Sequence, residues 1–398
     1  MPTRTTRFLA AVLLTAPLAP QAWAQAVRRI PAAVQKSDKT TDELIKLLSS
    51  KDRLERMRAA DELSLRGDEA LPAIPLLIQH VGDGSTMARA LAAIGEPAVQ
   101  PLIAALPGID GGALANAVEA LGELKDPRAV PPLLKLVRTK DILVLKQLMV
   151  SLGKIGTDQA VAAVIAGLKN ANFNVREAAA VGLRYAADPK AAGPLAACLN
   201  DEAWTVRARA CQALGAIASP ESAKPVIAKL KDPERLVRVQ ACESLGQIGQ
   251  SCAVEPLADA LNDADPEVRS IAAMALGQIA DPAAIGPLAA TVRDPEDIVR
   301  WRAAEALGHF RDVRVVQPLI DCLKDRTRHV RNAATEALAA VTGQTLGSQQ
   351  SKWQKWWDEN KDKPLPEPEP PEGSEEKQNE DNGGSQNNAG KEAEKPSS

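Results

Sequence analysis

Aromatic side chains are nearly missing from this chain: one tyrosine, three phenylalanines and six tryptophans in 398 residues. Alanine is abundant instead, the composition of helices that pack closely. Histidine is as scarce, and His80, His309 and His329 are followed by Val81, Phe310 and Val330, so no His-Glu pair exists. No P-loop, G-x-S-x-G or H-E-x-x-H motif is present. No C-x-x-C pair offers zinc or redox chemistry. These absences weigh against an enzyme and leave no catalytic residue, metal ligand or cofactor to name.

Charge of one sign is missing too. The net charge is −3. The first 24 residues carry Arg4 and Arg7, and without them it is −5. From Pro364 onward nine acidic residues and three lysines hold −6, which leaves the body at +1. Nucleic-acid binding needs a concentrated basic face, so a nucleic-acid partner is not expected. No stretch after the first is long and apolar enough to cross a bilayer. That first stretch has a basic start, an apolar run from Phe8 to Ala19, and Ala22-Trp23-Ala24 before Gln25. It is the pattern of a cleavable export signal, and the expected location is periplasmic or secreted.

Five cysteines, Cys198, Cys211, Cys242, Cys252 and Cys322, make an odd count, so at least one thiol stays unpaired. Cys211 and Cys242 stand one repeat apart. Stacked helices lie about 8–10 Å apart, beyond the ~7 Å Cα separation a disulfide tolerates. Small core filler is the expectation.

What the chain does have is periodicity. Arg176, Arg207, Arg238, Arg269, Arg300 and Arg331 recur every 31 residues. Prolines from Pro194 to Pro318 and leucines from Leu183 to Leu338 keep the same step. A fixed period of this length is one helical unit stacked many times. In the unit from Asp281 to Phe310, Asp281 caps a first helix and Pro282 takes its first position. Pro287 lies further in and is expected to kink that helix. Gly215, Gly246, Gly277 and Gly308 follow the column leucine in the second helix and imply close backbone contact or a helix end. Asp201, Asp232, Asp263, Asp294 and Asp325 lie six residues before an arginine, and Asn170 holds that place before Arg176. Each Asp is expected to cap the interhelix turn and face an arginine of its own repeat or of the neighbouring one.

The stretch DPEVRSIAAMALGQIADPAAIGPLAATV, residues 265–292, resembles HEAT repeats in the short form named after phycobilisome lyases. The likeness runs from about Thr41 to Val341, loosening upstream, where Leu114 and Leu145 replace the column arginine. It implies an all-α fold: a right-handed α-solenoid of about ten HEAT-like helix pairs with a Trp-rich C-terminal capping helix. The expected layout is a signal peptide (1–24), a flexible leader (25–40), the solenoid (41–341), a capping segment (342–363) and a disordered acidic tail (364–398). Trp353, Trp356 and Trp357 share one helix face, suited to covering the open end of the stack or to a membrane or partner surface.

The resemblance also implies that second helices line the concave surface. Positions one, two, five and nine after the arginine then form a candidate partner-binding face: Arg209, Gln240, Glu243, Gln247, Met274, Gln278, Trp301, Arg302, Glu305 and His309. Trp301 and Arg302 are the expected hot spots. Phe173, Trp204 and Arg235 form a second row at the starts of those helices. The functional expectation is a non-enzymatic scaffold for a protein partner. The alternative is an accessory enzyme or cofactor-handling factor like the bilin lyases.

Overall fold

A computed structural model describes residues 37–365. The expected export signal, most of the expected leader and nearly all of the acidic tail lie outside the described residues. Among these the fold is all helical, in ten pairs plus one final helix. The pairs are named here by their first (A) and second (B) helix. The B helices run Arg53–Leu63, Ser85–Ile94, Gly111–Leu124, Ile142–Ile155, Phe173–Ala186, Trp204–Ile217, Arg235–Ile248, Pro266–Ile279, Asp297–Leu307 and Arg328–Thr342. Each packs lengthwise on the next, and each A helix packs on its own B helix. The core is a continuous strip of buried Leu, Val, Ala and Ile between the two layers.

The column proline does not kink a continuous A helix. In repeat nine, Pro282–Ala284 is a 3₁₀ turn and Ile285–Thr291 an α-helix, so Pro287 occupies the third position of the α segment. There its missing N–H has no intrahelical partner to lose. The A helix is therefore divided by a change of helix type two residues upstream of the proline. In repeat five Ala163 takes the proline's place, and the A helix Asp158–Gly167 is α throughout. Repeat eight starts with Ser251 rather than proline and still opens with a 3₁₀ turn, Ser251–Ala253, before Pro256. The split follows the inner proline, not the first one. Asp126, Asp188 and Asp281 cap their 3₁₀ turns as expected, but the Ser219 side chain makes no cap bond.

The Arg–Asp ladder joins neighbouring repeats. Arg207 Nε donates to Asp232 Oδ2 at 2.8 Å and Nη2 to Oδ1 at 2.8 Å, while Nη1 donates to the Asp201 carbonyl of its own repeat at 3.0 Å. Arg176, Arg238, Arg269 and Arg300 repeat this geometry with Asp201, Asp263, Asp294 and Asp325. Each of these carboxylates also accepts the N–H two residues on, as Asp232 does from Glu234 at 3.0 Å. An isolated early rung, Arg56 with Asp83, has the same form but spans 27 residues instead of 25.

The ladder makes the fold acid-sensitive. Burial pushes Asp201, Asp232 and Asp325 up, but the arginine and backbone N–H bonds outweigh it and hold all three below the usual aspartate range. A depressed carboxylate contributes stability above its unfolded value, about 3.9, and loses it as pH falls through the folded value. The melting temperature should therefore hold from neutral pH to about pH 4 and fall below that. A profile flat down to pH 2.5, about 1.4 units under the unfolded aspartate value, would contradict the ladder's role.

The glycine column marks close helix approach. A Cβ on Gly277 would lie 2.8 Å from Ala306 Cβ and 2.9 Å from Ala306 Cα, and one on Gly308 2.9 Å from Ala337 Cβ. A Cβ on Gly153 would overlap the backbone of Gly182. The facing position is small in each case: Ser151, Gly182, Ser244, Ala275, Ala306 and Ala337. Arg184 replaces the glycine once and is exposed.

The final helix, Gln350–Asn360, packs on the A helix of repeat ten. Trp353 is fully buried and its Nε1 donates to the Gly347 carbonyl at 2.6 Å; Trp356 and Trp357 are half-buried beside it. All five cysteines are free, and only Cys252 is exposed. Burial pushes the thiols of Cys211, Cys242 and Cys322 up to about 12 and that of Cys198 to about 11, which keeps them inert.

Candidate functional site

The fifth and ninth positions after the column residue are exposed or half-buried on the B helices of repeats five to ten. At the C-terminal end of the stack Trp301, Glu305 and His309 line a groove of about 210 Å³ with Gly308, Ala333, Glu336, Ala337 and Ala340 of repeats nine and ten. The narrow floor follows from the glycine column: Gly308 against Ala337 lets the helices close up beneath it.

Trp301 is half-buried. The Arg302 guanidinium lies 4.1 Å from its ring centroid, and His329 of the next helix meets it edge-on at 6.1 Å. Arg302 Nη1 donates to Glu305 Oε2 at 2.7 Å, and the Arg302 side chain is only 13% exposed. Arg302 is thus a bracket that fixes Trp301 and Glu305, with little of it left to meet a partner.

The middle of the face is quieter. Met274 is half-buried, while Gln247 and Gln278 are exposed. Gln247 and Gln278 fold their amide oxygens into the space that a Cβ on Gly215 or Gly246 would fill. Glu243 is half-buried, and burial raises its carboxyl above the usual range despite the Gln240 bond and the Arg184 charge. The Oε1 of Gln240 is buried without a partner among the described residues. Arg209 links two helices, donating to Glu177 Oε1 at 3.4 Å and to Gln212 Oε1 at 2.9 Å.

Phe173 and Trp204 lie apart from this surface, at the first positions of their helices, 44% and 39% exposed. Arg235, third in that row, is engaged by Glu267.

One part of the face escaped the arginine count. Leu143, Lys146, Gln147, Val150, Asn174, Glu177, Ala178 and Val181 line a groove of about 290 Å³ between the B helices of repeats four and five. Leu145 stands in the arginine column there, so offsets could not be taken from an arginine. Gly122 and Gly153 keep the step and would have given the register.

Among the described residues no group of three or more His, Cys, Asp or Glu side chains is placed to hold a metal. No helix among them is long and apolar enough to cross a membrane.

The family model described as HEAT repeats matches five overlapping stretches, residues 99–184, 161–228, 191–264, 223–305 and 254–339. Together these cover more than half of the chain. No curated protein matches the sequence. Similar solved structures include an engineered protein from the Northeast Structural Genomics Consortium, at 22% identity over 76% of this chain and 98% of that one, with a TM-score of 0.42. Human deoxyhypusine hydroxylase in complex with glycerol is another, at 24% identity over 68% and 95% of the two chains, with a TM-score of 0.29.

Proposed function

Because the chain belongs to the HEAT-repeat family, we propose that it is an exported, non-enzymatic scaffold that binds a protein partner along its B-helix face. The observation that carries this reading is the C-terminal groove. Trp301 is held half-exposed by Arg302 and His329, above a floor of alanine and glycine, with Glu305 and Glu336 at the rim. A rigid aromatic anchor beside a shallow apolar groove with a polar rim is the anatomy of an interaction hot spot. The groove at Leu143 and Val150 extends the contact over several repeats. Export rests on the basic, apolar and Ala-Trp-Ala sequence of the first 24 residues.

The test begins with protein recovered from the periplasm or medium of an expressing bacterium, where N-terminal sequencing should read Gln25 first. That protein, as wild type and as a Trp301→Ala, Arg302→Ala double variant, is then used to capture partners from the native extract. The double variant should keep its helical circular dichroism and lose the partner at least tenfold, the factor that about 1.4 kcal/mol of hot-spot contact supplies. A partner held equally by both proteins would remove the groove from the reading. A protein that stays inside the cell with its first residues intact would remove export.

A further inference from the structure

The ladder ends in an unfilled rung. Every paired column arginine uses Nη1 on carbonyls of its own repeat and Nε with Nη2 on the carboxylate 25 residues later. Arg331 keeps the first half, donating to the Asp325 carbonyl at 2.8 Å and the Arg326 carbonyl at 3.2 Å. Twenty-five residues on stands Trp356, in the capping helix. Among the described residues, Nε and Nη2 of Arg331 have no acceptor. Lys324, Arg326 and Arg328 are exposed on the same turn, and its one carboxylate, Asp325, belongs to Arg300. The stack thus closes on a two-pronged carboxylate receptor set in positive charge.

We infer that Arg331 with Arg326 and Arg328 is a carboxylate-binding site, and that its occupant is the acidic segment of this same chain around Glu372, Glu375 and Glu376. Charge is the first argument: residues 366–398 carry nine acidic groups against three lysines. Reach is the second. The described chain ends at Leu365, packed beside Arg311, Asp312 and Val313 at the opposite edge of repeat ten. The two edges are separated by one B helix, whose 15 residues span about 22 Å at 1.5 Å each. About seven extended residues cover that distance, and Glu372 is the seventh after Leu365. A second copy stacked head to tail is a poorer occupant. It would have to offer an unpaired column carboxylate at the start of its ladder, and the regular ladder starts at Asn170, a neutral amide.

The test uses the full chain and a glutamate-specific protease, with cleavage after Glu372, Glu375 and Glu376 followed by mass spectrometry. A synthetic peptide of residues 364–398 at the same salt is the reference. At low salt the wild type should be cut about threefold or more slowly than the peptide, the protection that an exposed ion-pair network supports. Salt of about 1 M, with a screening length of ~3 Å, should abolish the difference without any substitution. Arg331→Gln should abolish it at low salt, and Arg331→Lys, which keeps the charge but not the fork, should give an intermediate rate. Circular dichroism checks that both variants stay folded. Equal rates for wild type and peptide at low salt would overturn the inference, as would protection that survives in folded Arg331→Gln. Protection that grows with protein concentration would assign the site to another copy and overturn the intrachain contact.

Discussion

Arg300→Ala should lower the unfolding free energy by about 3–5 kcal/mol, the range for removing one partner of a buried ion pair. Arg300 is 6% exposed. It donates to Asp325 Oδ2 at 2.6 Å and Oδ1 at 3.1 Å, and to the carbonyls of Asp294 and Pro295 at 2.8 and 2.9 Å. Truncation leaves a carboxylate without its cation and the Asp294 carbonyl without its side-chain donor, each a desolvation penalty, while the Pro295 carbonyl keeps Arg326 Nη2 at 3.2 Å. Lysine does not rescue it, because one ammonium cannot span the carboxylate and the turn together. Adding Asp325→Ala should recover part of the loss, since the orphaned charge goes with it, and the double-mutant cycle isolates that coupling. Repeats interact chiefly with their neighbours, so amide exchange should accelerate in residues 297–342 and little in 111–155. A loss under about 1 kcal/mol, the level of a surface pair, would mean that the ladder contributes little to the stack.

Gly153→Ala should cost about 2–3 kcal/mol, although alanine is the better helix former by up to 1 kcal/mol. The added methyl overlaps the backbone oxygen, carbon and Cα of Gly182. Backbone cannot rotate aside, so the two B helices must separate, and packing along repeats four and five loosens with them. Gly193→Ala supplies the control. That glycine also sits in a helix, but a Cβ there meets nothing within 4 Å. The same chemical change should there be neutral or stabilise by a few tenths of a kcal/mol. Urea denaturation of both variants decides the matter. Equal effects at the two sites would show that the close approach exerts no force on the fold.

The repeat architecture was legible because it is written redundantly: six arginines at one step outvote any local ambiguity. The partner of each arginine was not, because a residue six places back and one 25 places on are both Asp in a periodic chain. Only the packing of adjacent units selects the second. The glycine column was legible as close contact, but not what it touches, since the facing small residue lies 29 positions away. The proline was misjudged in detail. Its effect depends on where the α segment begins, and a preceding 3₁₀ turn moves that start to within two residues of Pro287. At the candidate face the offsets from arginine brought Trp301, Glu305 and His309 into one groove. They overlooked the groove at Val150, where leucine had replaced the marker. They also gave no sign that Arg302 would spend its guanidinium on its neighbours.

A regular rung that reaches 25 residues forward bears on how such a chain changes over generations. Excise residues 232–262, and Asp263 arrives 25 places after Arg207, where Asp232 had been. Duplicate the same stretch, and every arginine from Arg176 to Arg300 still finds an aspartate. Whole units can therefore be gained or lost by recombination without orphaning a charge, whereas a deletion between two rungs whose length is not a multiple of 31 strands one. The span of the protein is in this sense a dial with 31-residue clicks, and natural selection can turn it without rebuilding the fold.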